Sequence, residues 1–393
     1  MGSVQFSSMR RRTVVTLCLC LLVAFLVPAA VAAGDGNSPG AVFVMTNDPT
    51  GNDVMVYPRR SDGTLGAPTS FPTGGNGSAL FEQSGNALIL TGVSREASPN
   101  NFNGDHRFVI ATNSNSNSIS VFRVRPDGLE LATVQHSGGT HPISVTVSRG
   151  RLFVLNGGNG QCMGGVANIA GFWLDAQGDL TPIPGATRPL GGGPSSGCSQ
   201  LSFNPKGDVL VASERASDTI TTYTIAADGL PSAPITNQTS GNGPFAFTFT
   251  QTGTLVTSEN FQGAPLQGGA ASYDVRGDGT LVPLGTERNF RSDTCWAVVT
   301  DNGKYAYTSN AMTGDLSSYT VNRDGTLVLL QSVAGQVGFI AADESFSQNS
   351  RYLYVRSFSD GRLVSFQVNP DGTLTPLESV AGIPPGAIGI ASY

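Results

Sequence analysis

One short turn sequence recurs along the whole chain. Asp-Gly, in four copies followed by Thr-Leu, stands between runs of alternating apolar residues, and a degenerate copy reads Gln-Gly-Asp-Leu. The glycines of the seven copies are Gly63, Gly128, Gly178, Gly229, Gly279, Gly325 and Gly372. Asp-Gly between such runs is a strong β-hairpin signal, because the tight turn needs a positive φ that glycine reaches without steric cost. The sequence therefore predicts seven hairpins, one in each repeat.

The spacing of these glycines predicts the architecture. Successive copies are 65, 50, 51, 50, 46 and 47 residues apart. A period of roughly 40–50 residues that contains one hairpin is typical of a β-propeller blade. The 50 glycines and the low charged fraction of 13% suit short strands and tight turns, and no long stretch has helical periodicity. We expect an all-β fold, a seven-bladed β-propeller of four-stranded antiparallel blades.

The two ends of the chain predict how the ring closes. Residues Ala41–Thr46 resemble the second strand of a blade, and Ala387–Ala391 resemble a lone inner strand. We therefore expect the C-terminal strand to complete the N-terminal blade, which removes two open sheet edges. In the second blade, the inner strand is either Ala79–Phe81 or Ala87–Leu90, and Ser94–Asp105 is expected to form a surface loop.

Residues 1–33 resemble a secretory signal peptide. Arg10–Arg12 precede an apolar run from Val14 to Val27, and Ala30-Val31-Ala32 forms a small-residue cleavage site. A membrane anchor is the alternative, but this run is shorter than the roughly 20 residues that a span requires. We expect cleavage, secretion to an extracellular or periplasmic compartment, and a single propeller domain over residues 34–393.

The charge of the chain limits its partners. The formal net charge is −6, and removal of Arg10–Arg12 brings it to −9. An acidic chain without a basic stretch argues against binding to nucleic acid or to an anionic membrane surface. We expect a monomer that acts on a small-molecule substrate.

The topology predicts which residues gather at one end of the channel. In an up-and-down blade, the start of the inner strand and the end of the second strand lie on one face, opposite the hairpins. The second strands are predicted to end at Asn47, Asn113, Gly157, Glu214, Glu259, Asn310 and Ser357. His141-Pro142 opens the third inner strand. We therefore expect a shared channel mouth formed by His141, Glu214, Arg215, Glu259 and Arg356.

These residue types fit acid–base chemistry on a carboxylated molecule. Two nearby carboxyl groups can have separated pKa values and so serve as acid and base, while histidine relays protons near neutral pH. Arginine binds a carboxylate through two hydrogen bonds. The candidate catalytic residues are His141, Glu214 and Glu259, and the candidate substrate contacts are Arg215, Arg356, Asn113, Asn310 and Trp296. In the alternative interpretation, the Asn and Glu side chains tie neighbouring blades together and His141 is a cap.

The cysteines predict one disulfide. Three of the five cysteines follow the signal peptide. Cys162 and Cys198 are expected on the same face of adjacent blades, so we predict a bridge between them and a buried free thiol at Cys295. The sequence has no zinc-ligand spacing, no G-x-S-x-G motif and no phosphate-binding loop. We therefore expect no metal and no cofactor.

Several of these segments together resemble a known family. They are Thr140-His141-Pro142, the turn Asn204-Pro205-Lys206-Gly207, the strand Tyr305–Asn310 and the Asp-Gly-Thr-Leu hairpins. Over about residues 40–393 the chain resembles the lactonase-type seven-bladed propellers, which include bacterial 6-phosphogluconolactonase and fungal carboxy-cis,cis-muconate cyclase. The resemblance implies a site of histidine, glutamate and arginine at the channel mouth.

His141 and Glu214 match that pattern, but Ser196-Gly197-Cys198 stands where the family has an arginine. The signal peptide and the few cations at the mouth also depart from an intracellular enzyme for sugar phosphates. The resemblance therefore implies a lactonase-like or cyclase-like reaction on a small carboxylated lactone or its open form. The alternative is a non-catalytic secreted propeller that binds a ligand, a glycan or a protein at its mouth.

Overall fold

The structure, a computed structural model, describes residues 1–2, 39–80, 84–92, 108–160, 162–384 and 386–393. The predicted signal peptide and the predicted surface loop at Ser94–Asp105 lie outside the described residues, apart from Met1 and Gly2. Among the residues that are described, there is no helix with the length and apolarity needed to cross a membrane. The propeller lies within the compact unit Gly36–Tyr393.

The strands form seven antiparallel sheets, as the repeat predicts. Blade 1 contains β1 (Gly40–Met45), β2 (Asp53–Arg59) and β3 (Thr69–Pro72). Blade 2 contains β4 (Leu88–Thr91), β5 (Phe108–Asn113), β6 (Ser118–Arg125) and β7 (Gly128–His136). Blade 3 contains β8 (Pro142–Ser148), β9 (Arg151–Asn156), β10 (Asn168–Leu174), β11 (Leu180–Pro182) and β12 (Arg188–Pro189). Blade 4 contains β13 (Cys198–Phe203), β14 (Val209–Glu214), β15 (Thr219–Thr224) and β16 (Ile235–Gln238).

The last three blades follow the same order. Blade 5 contains β17 (Pro244–Phe249), β18 (Thr254–Glu259), β19 (Gly269–Val275) and β20 (Leu281–Arg288). Blade 6 contains β21 (Thr294–Val299), β22 (Tyr305–Asn310), β23 (Asp315–Val321) and β24 (Leu327–Gln336). Blade 7 contains β25 (Ala341–Phe346), β26 (Tyr352–Ser357), β27 (Arg362–Val368) and β28 (Leu374–Ala381). Short 3₁₀ turns occur at Ser114–Ser116, Arg215–Ser217, Phe261–Gly263 and Gln348–Ser350.

The ring closes as the two ends of the chain predict. The C-terminal strand β29 (Ile388–Ser392) pairs antiparallel with β1 and forms the inner edge of blade 1. In blade 2 the inner strand is Leu88–Thr91, which decides between the two alternatives. Blade 3 departs from four strands, because its outer edge is divided into β11 and β12, and both pair with β10. Pro182 and Pro184 have no N–H to donate to a strand partner, which explains the interruption.

The Asp-Gly hairpins combine a local turn with a contact between blades. In the blade 6 copy, Asp324 Oδ1 accepts hydrogen bonds from Thr326 N at 3.0 Å and Thr326 Oγ1 at 2.7 Å. The following glycine holds a φ of +84°. In blade 1, a Cβ at Gly63 would lie 2.5 Å from the ring of Tyr352 in blade 7. Glycine is therefore favoured at this position for two reasons: it adopts a positive φ, and it allows close packing against the neighbouring blade.

Buried tyrosines add hydrogen bonds across the same boundaries. Tyr354 Oη donates to Gly63 O at 2.8 Å, and Tyr307 Oη donates to Gly372 O at 2.9 Å. Each hydroxyl thus reaches the hairpin of the next blade, while its ring is fully buried in the core. Apolar packing and these polar contacts together fix the angle between adjacent blades.

The inner strands carry a shared irregularity on the side facing the mouth. In β21, Thr294 pairs with Asn310 but Trp296 pairs with Ser309, so one residue is extra. The same one-residue bulge occurs in β8, β13, β17, β25 and β29. A bulge changes the direction of the side chains beside it, and such changes are common near functional sites.

Candidate functional site

The mouth of the channel is shaped by a left-handed residue before each of five inner strands. These residues, with φ between 56° and 68°, are His141, Gly197, Gly243, Asp293 and Ile340. The carbonyl of each accepts a hydrogen bond of 2.8–3.1 Å from the backbone N–H that follows the second strand of the same blade. Non-glycine residues pay a conformational cost in this region, so His141, Asp293 and Ile340 are held there by the surrounding structure.

Residues at the ends of the second strands, or two residues beyond the end in blade 1, form a buried ring. Its members are Asn47, Asn113, Asn156, Glu214, Glu259, Asn310 and Ser357, each at most 1% exposed. The blade 3 member is Asn156 and not the predicted Gly157, because β9 ends one residue earlier, at Asn156. The mouth therefore rests on a layer of polar side chains that solvent does not reach in this structure.

Asn113 and Asn310 use their amide groups to hold loops in place. Asn113 Nδ2 donates to Ser118 Oγ and Ser120 Oγ, and its Oδ1 accepts from Asn52 Nδ2 and Thr73 Oγ1. The amide of Asn310 likewise makes four hydrogen bonds of 2.7–3.0 Å. An asparagine amide offers four such bonds, so both groups are satisfied. This geometry supports the tie between structural elements, and a substrate contact by either residue stays a prediction.

Glu214 is enclosed by the loop that enters its own blade. Its Oε2 accepts a hydrogen bond from Gly192 N at 2.9 Å, and its Oε1 accepts one from Thr221 Oγ1. Burial raises the pKa of Glu214, and the hydroxyls of Thr221 and Ser196 and the Gly192 N–H oppose that rise. The carboxyl group is thus fully buried but held by named donors.

Glu259 occupies the equivalent position in blade 5, but it lacks the hydrogen bonds that hold Glu214. It packs against Gly241, where a Cβ would lie 2.4 Å from its carboxyl carbon. Neither carboxyl oxygen has a hydrogen-bond partner among the described residues, although the backbone N–H of Asn242 opposes the rise in the pKa of Glu259. Burial raises the pKa of Glu259 to about 8, with a smaller contribution from the charge of Asp218. Glu259 therefore carries a proton at neutral pH.

The two glutamates have separate surroundings. Burial raises the pKa of Tyr223, and the charge of Glu214 raises it further. Burial also raises the pKa of Tyr273, and there the additional rise comes from the charge of Glu259. Neither carboxyl group is among the causes that shift the pKa of the other. The expectation that they share one cavity stays a prediction.

The two arginines lie in different environments. Arg215 is half-buried directly after β14, and its charge lowers the pKa of Asp293, which burial raises overall. Its Nε is buried without a hydrogen-bond partner in the described structure. Arg356 is 1% exposed, lies on the same face of β26 as Tyr354, and its guanidinium carbon is 5.6 Å from the ring centre of Phe358. Of these two arginines, Arg215 is therefore partly exposed and Arg356 is buried.

His141 and Trp296 complete the set of predicted site residues. His141 is half-buried at the entrance of blade 3, and its backbone N–H donates to Asn117 Oδ1 at 2.8 Å. Trp296 is 4% exposed and donates from Nε1 to Ser84 O at 3.2 Å. Its ring packs edge-on against Phe245 with the ring centres 5.1 Å apart. Trp296 thus forms part of the wall beneath the mouth.

Sequence reasoning did not count Asp293, at the entrance of blade 6, among the candidate site residues. Asp293 Oδ1 lies 3.4 Å from both Cys295 Sγ and Asn260 Nδ2, and the Arg215 side chain acts on it electrostatically. Burial, and then the Asp293 charge, raise the pKa of the Cys295 thiol well above its usual value. The available signal was positional, since Asp293 and His141 both stand immediately before an inner strand.

The disulfide prediction is confirmed. Cys162 and Cys198 are bridged, with their Cα atoms 5.2 Å apart, and Cys295 is a buried free thiol. The bridge joins the loop between β9 and β10 to the start of β13, and so connects blades 3 and 4 at the mouth. Disulfides of this kind are typical of proteins from oxidising compartments.

Two kinds of cavity accompany the channel. A cavity of about 30 Å³ lies among the inner strands. A larger one of about 470 Å³ lies on the hairpin face, between the turn at Asp301 and the hairpin at Asn369. A smaller cavity between blades 4 and 5, of about 120 Å³, occupies the corresponding position in the repeat. The hairpin-face cavities therefore follow from the blade geometry and do not mark a special site.

Comparison with known proteins supports the resemblance to lactonases. The family model described as "Lactonase, 7-bladed beta-propeller" matches residues 169–264, a segment that includes Glu214, Arg215 and Glu259. The resemblance to lactonase-type propellers is therefore confirmed for this segment. No curated protein sequence matches the chain.

Solved structures extend the likeness to the whole propeller. The periplasmic gluconolactonase of Pseudomonas aeruginosa has a TM-score of 0.67 at 19% identity, covering 90% of this chain and 99% of that one. A candidate 6-phosphogluconolactonase of Bacteroides fragilis has a TM-score of 0.63 at 17% identity, covering 90% and 98%. A hypothetical selenium-binding protein of Sulfolobus tokodaii has a TM-score of 0.61 at 12% identity, covering 90% and 92%. At these identities the likeness shows the fold alone.

Proposed function

We propose that this chain opens or closes a small carboxylated lactone at the channel mouth, by acid–base chemistry without a metal ion or cofactor in the reaction. The lactonase family match supports the reaction type, since it spans the segment that contains Glu214, Arg215 and Glu259. One observation carries the choice of a carboxylated substrate: Arg215 is half-buried at the mouth with an Nε that lacks a partner in the described structure. A carboxylate is the natural acceptor for such a donor.

The reaction requires two proton transfers. In ring opening, a base takes a proton from water, and the water oxygen forms a bond to the ring carbonyl carbon. The ring C–O bond then breaks, and an acid protonates the departing oxygen. In this proposal His141, half-buried at the entrance of blade 3, takes the first proton, and Glu259, whose pKa burial raises to about 8, supplies the second.

Glu214 acts in this proposal through the loop that it holds. Its carboxyl group is fully buried beneath Gly192, so direct contact with a substrate requires the loop to move aside. The same holds for Glu259 beneath Gly241. The proposal therefore includes movement of these two entrance loops when the substrate binds.

A lactone panel tests the proposal. The chain lacking residues 1–33 is assayed with five- and six-membered lactones, each with and without a carboxylate group, by following acid release. We expect turnover of carboxylated lactones and a rise of about tenfold or more in KM for Arg215→Gln, on the scale of one lost charged hydrogen bond. Arg323→Gln, in the exposed hairpin of blade 6, is the matched control and should leave KM unchanged. Failure to turn over any lactone would remove the proposed reaction.

A second candidate is a binding protein without catalysis. The loops on the mouth face expose large apolar side chains, namely Leu266 (54%), Phe290 (61%), Met312 (51%) and Phe339 (51%). Large exposed apolar side chains on one face favour an interaction site there. Calorimetry with the same lactones distinguishes the two functions, because heat of binding without product formation, reduced by Phe290→Ser, would favour the binding protein.

We also propose that the chain is secreted after cleavage beyond Ala32. The Cys162–Cys198 bridge supports an oxidising destination. N-terminal sequencing of the exported protein should begin at Ala33 or Gly34. Recovery of the intact leader in a membrane fraction would favour the anchor instead.

A further inference from the structure

A cavity of about 220 Å³ lies between blade 1 and the hairpin of blade 2. Unlike the cavities of about 470 Å³ and 120 Å³ between polar turns, it has two different sides. Blade 1 and the C-terminus contribute the side chains of Ala41, Phe43, Val56, Pro58, Phe71 and Tyr393, and blade 2 contributes the hairpin at residues 125–128. A cavity of roughly 150 Å³ is enough to hold benzene. This cavity therefore has room for one aromatic ring with a small substituent.

The space exists because blade 1 has a small residue at a position where other blades have a ring. In every blade, one residue of the second strand pairs with the sixth residue of the third strand, and in blade 1 this residue is Ala41, opposite Pro58. The equivalent residues of blades 2 to 7 are Phe108, Arg151, Val209, Thr254, Tyr305 and Tyr352. Ala41 is the smallest of the seven, and three of the others carry an aromatic ring.

The two tyrosines at this position hydrogen-bond to the hairpin of the next blade. Tyr352 Oη donates to Ser61 O at 2.9 Å, and Tyr305 Oη donates to Pro370 O at 3.1 Å. Each acceptor stands two residues before the glycine of its hairpin. Pro126 stands at the same place in the blade 2 hairpin and lies in the wall of the cavity. Among the described residues, no group donates a hydrogen bond to the Pro126 carbonyl.

Aromatic rings already surround the space beside Ala41. Tyr393 stacks on Phe43, with the ring centres 6.0 Å apart and the planes inclined by 26°. Phe71 of β3 packs against the hairpin, since a Cβ at Gly128 would lie 2.2 Å from its ring. Aromatic rings pair favourably in offset-stacked and edge-to-face arrangements. The blade 1 side of the cavity is therefore suited to a further ring.

We propose that this cavity binds one small neutral phenol, whose ring takes the place of the tyrosine that blade 1 lacks. The phenol hydroxyl donates to Pro126 O, as the tyrosine hydroxyls do in the hairpins of blades 1 and 7. A phenol, with a pKa near 10, is neutral at pH 7. Arg125 and Asp127 both lie in the wall, so their opposite charges favour neither an anion nor a cation, and Arg125 is already paired with Glu130 Oε2 at 2.6 Å.

This binding site is independent of the lactone reaction. It lies at the hairpin end of blades 1 and 2, on the face opposite the channel mouth. Phe43 belongs to β1 and Tyr393 follows the closing strand β29, so a bound ring would add contacts between the blade that closes the propeller and blade 2. Binding should therefore raise Tm, because the site exists only in the folded chain.

The test uses 4-methylphenol, the side chain of tyrosine as a free molecule, and the disulfide-bonded chain. We expect calorimetry to show one site per chain, with a Kd of roughly 1 mM or below, and a saturable rise in Tm. Toluene has the same ring without the hydroxyl and should bind roughly three- to tenfold more weakly, on the scale of one hydrogen bond. Cyclohexanol has the hydroxyl without the aromatic ring and should also bind more weakly.

Ala41→Tyr supplies the missing ring from the chain itself and should abolish the binding of 4-methylphenol. Val328→Tyr is the matched control, since Val328 is 51% exposed on the outer strand of blade 6 and lies away from the cavity. This variant should bind as the wild type does. The proposal is overturned if the wild-type chain shows no saturable binding, or if Ala41→Tyr binds as tightly as the wild type.

NMR of the wild-type chain decides the question if Ala41→Tyr fails to fold. The methyl group of bound 4-methylphenol should show nuclear Overhauser contacts with the rings of Phe43 and Phe71. Contacts confined to residues outside the cavity would overturn the proposal.

Discussion

Burial changes the chemistry of single carboxyl groups in this protein, and Glu259 shows the consequence for stability. Its pKa rises from 4.5 to about 8 on folding. Between these pH values the folded chain keeps the proton and the unfolded chain releases it, so the stabilising contribution is complete below pH 4.5 and is lost as pH rises towards 8. We predict that the wild type loses stability relative to Glu259→Gln from pH 5 to pH 8, by on the order of a few kcal/mol.

Urea unfolding of both proteins at pH 5, 6, 7 and 8 measures this difference. Glu130→Gln, which removes an exposed carboxylate with a lowered pKa, serves as the control and should follow the wild type over this range. Parallel curves for the wild type and Glu259→Gln would show that Glu259 is not protonated in the folded chain.

At the scale of single elements, the hairpins were predictable because one residue type satisfies two requirements. Gly63 has a φ of +88°, and a Cβ there would collide with the buried ring of Tyr352. We predict that Gly63→Ala lowers the free energy of unfolding by about 2–4 kcal/mol, through backbone strain and overpacking together. Gly253→Ala is the matched control, since Gly253 has a φ of +100° with no atom near the position of its Cβ.

Gly253→Ala should cost only the strain, about 1 kcal/mol. Chemical denaturation of the two variants separates the terms. An equal loss in both would mean that contact between hairpin and neighbouring blade contributes nothing measurable.

The inner strands were harder to predict for a geometric reason. Strand assignment relies on strict alternation of side chains between two faces, and one extra residue reverses that alternation. The bulge in β25 lies between Ala341 and Glu344, so consecutive acids at Asp343 and Glu344 both end in the wall of the small cavity among the inner strands. No pattern in the sequence marks that bulge, and the shared environment of these two acids could therefore not be predicted.

Arg356 illustrates a signal that was present but not used. It alternates with Tyr352 and Tyr354 along β26, and those tyrosines pack with Tyr57 of blade 1. The period of two therefore places Arg356 in the core between blades 7 and 1, where it is 1% exposed. Its position near the end of a strand suggested the mouth, and a substrate contact by Arg356 stays a prediction.

At the scale of the whole molecule, the ring closes through its last strand, and one disulfide links blades 3 and 4. The seven hairpins and the offset of the two chain ends were enough to predict the ring and its closing strand. The disulfide followed from the predicted adjacency of blades 3 and 4. The division of the outer edge of blade 3 into two strands could not be predicted, because the hairpin pattern carries no information on how prolines interrupt the strand that follows.

The Cys162–Cys198 bridge is expected to contribute to global stability. It closes a segment with a sequence separation of 36 residues. A loop of this length corresponds to about 3–4 kcal/mol on the chain-entropy estimate. We predict that Cys198→Ser lowers Tm by several degrees and that a reducing agent then has no further effect. An unchanged Tm in Cys198→Ser would mean that the mouth is fixed by its hydrogen bonds alone.

The central claim is that the mouth face carries lactone chemistry and that Glu214 supports it. The most direct measurement is the turnover of a carboxylated lactone by the wild type and by Glu214→Gln, with Tm recorded for both. Because Glu214 positions the entrance loop of the mouth, the account predicts that Glu214→Gln misplaces the site and lowers kcat by roughly two orders of magnitude, with little change in Tm. Full activity in Glu214→Gln, or a loss of activity that only accompanies unfolding, would contradict it and leave Glu214 with a structural role that turnover does not require.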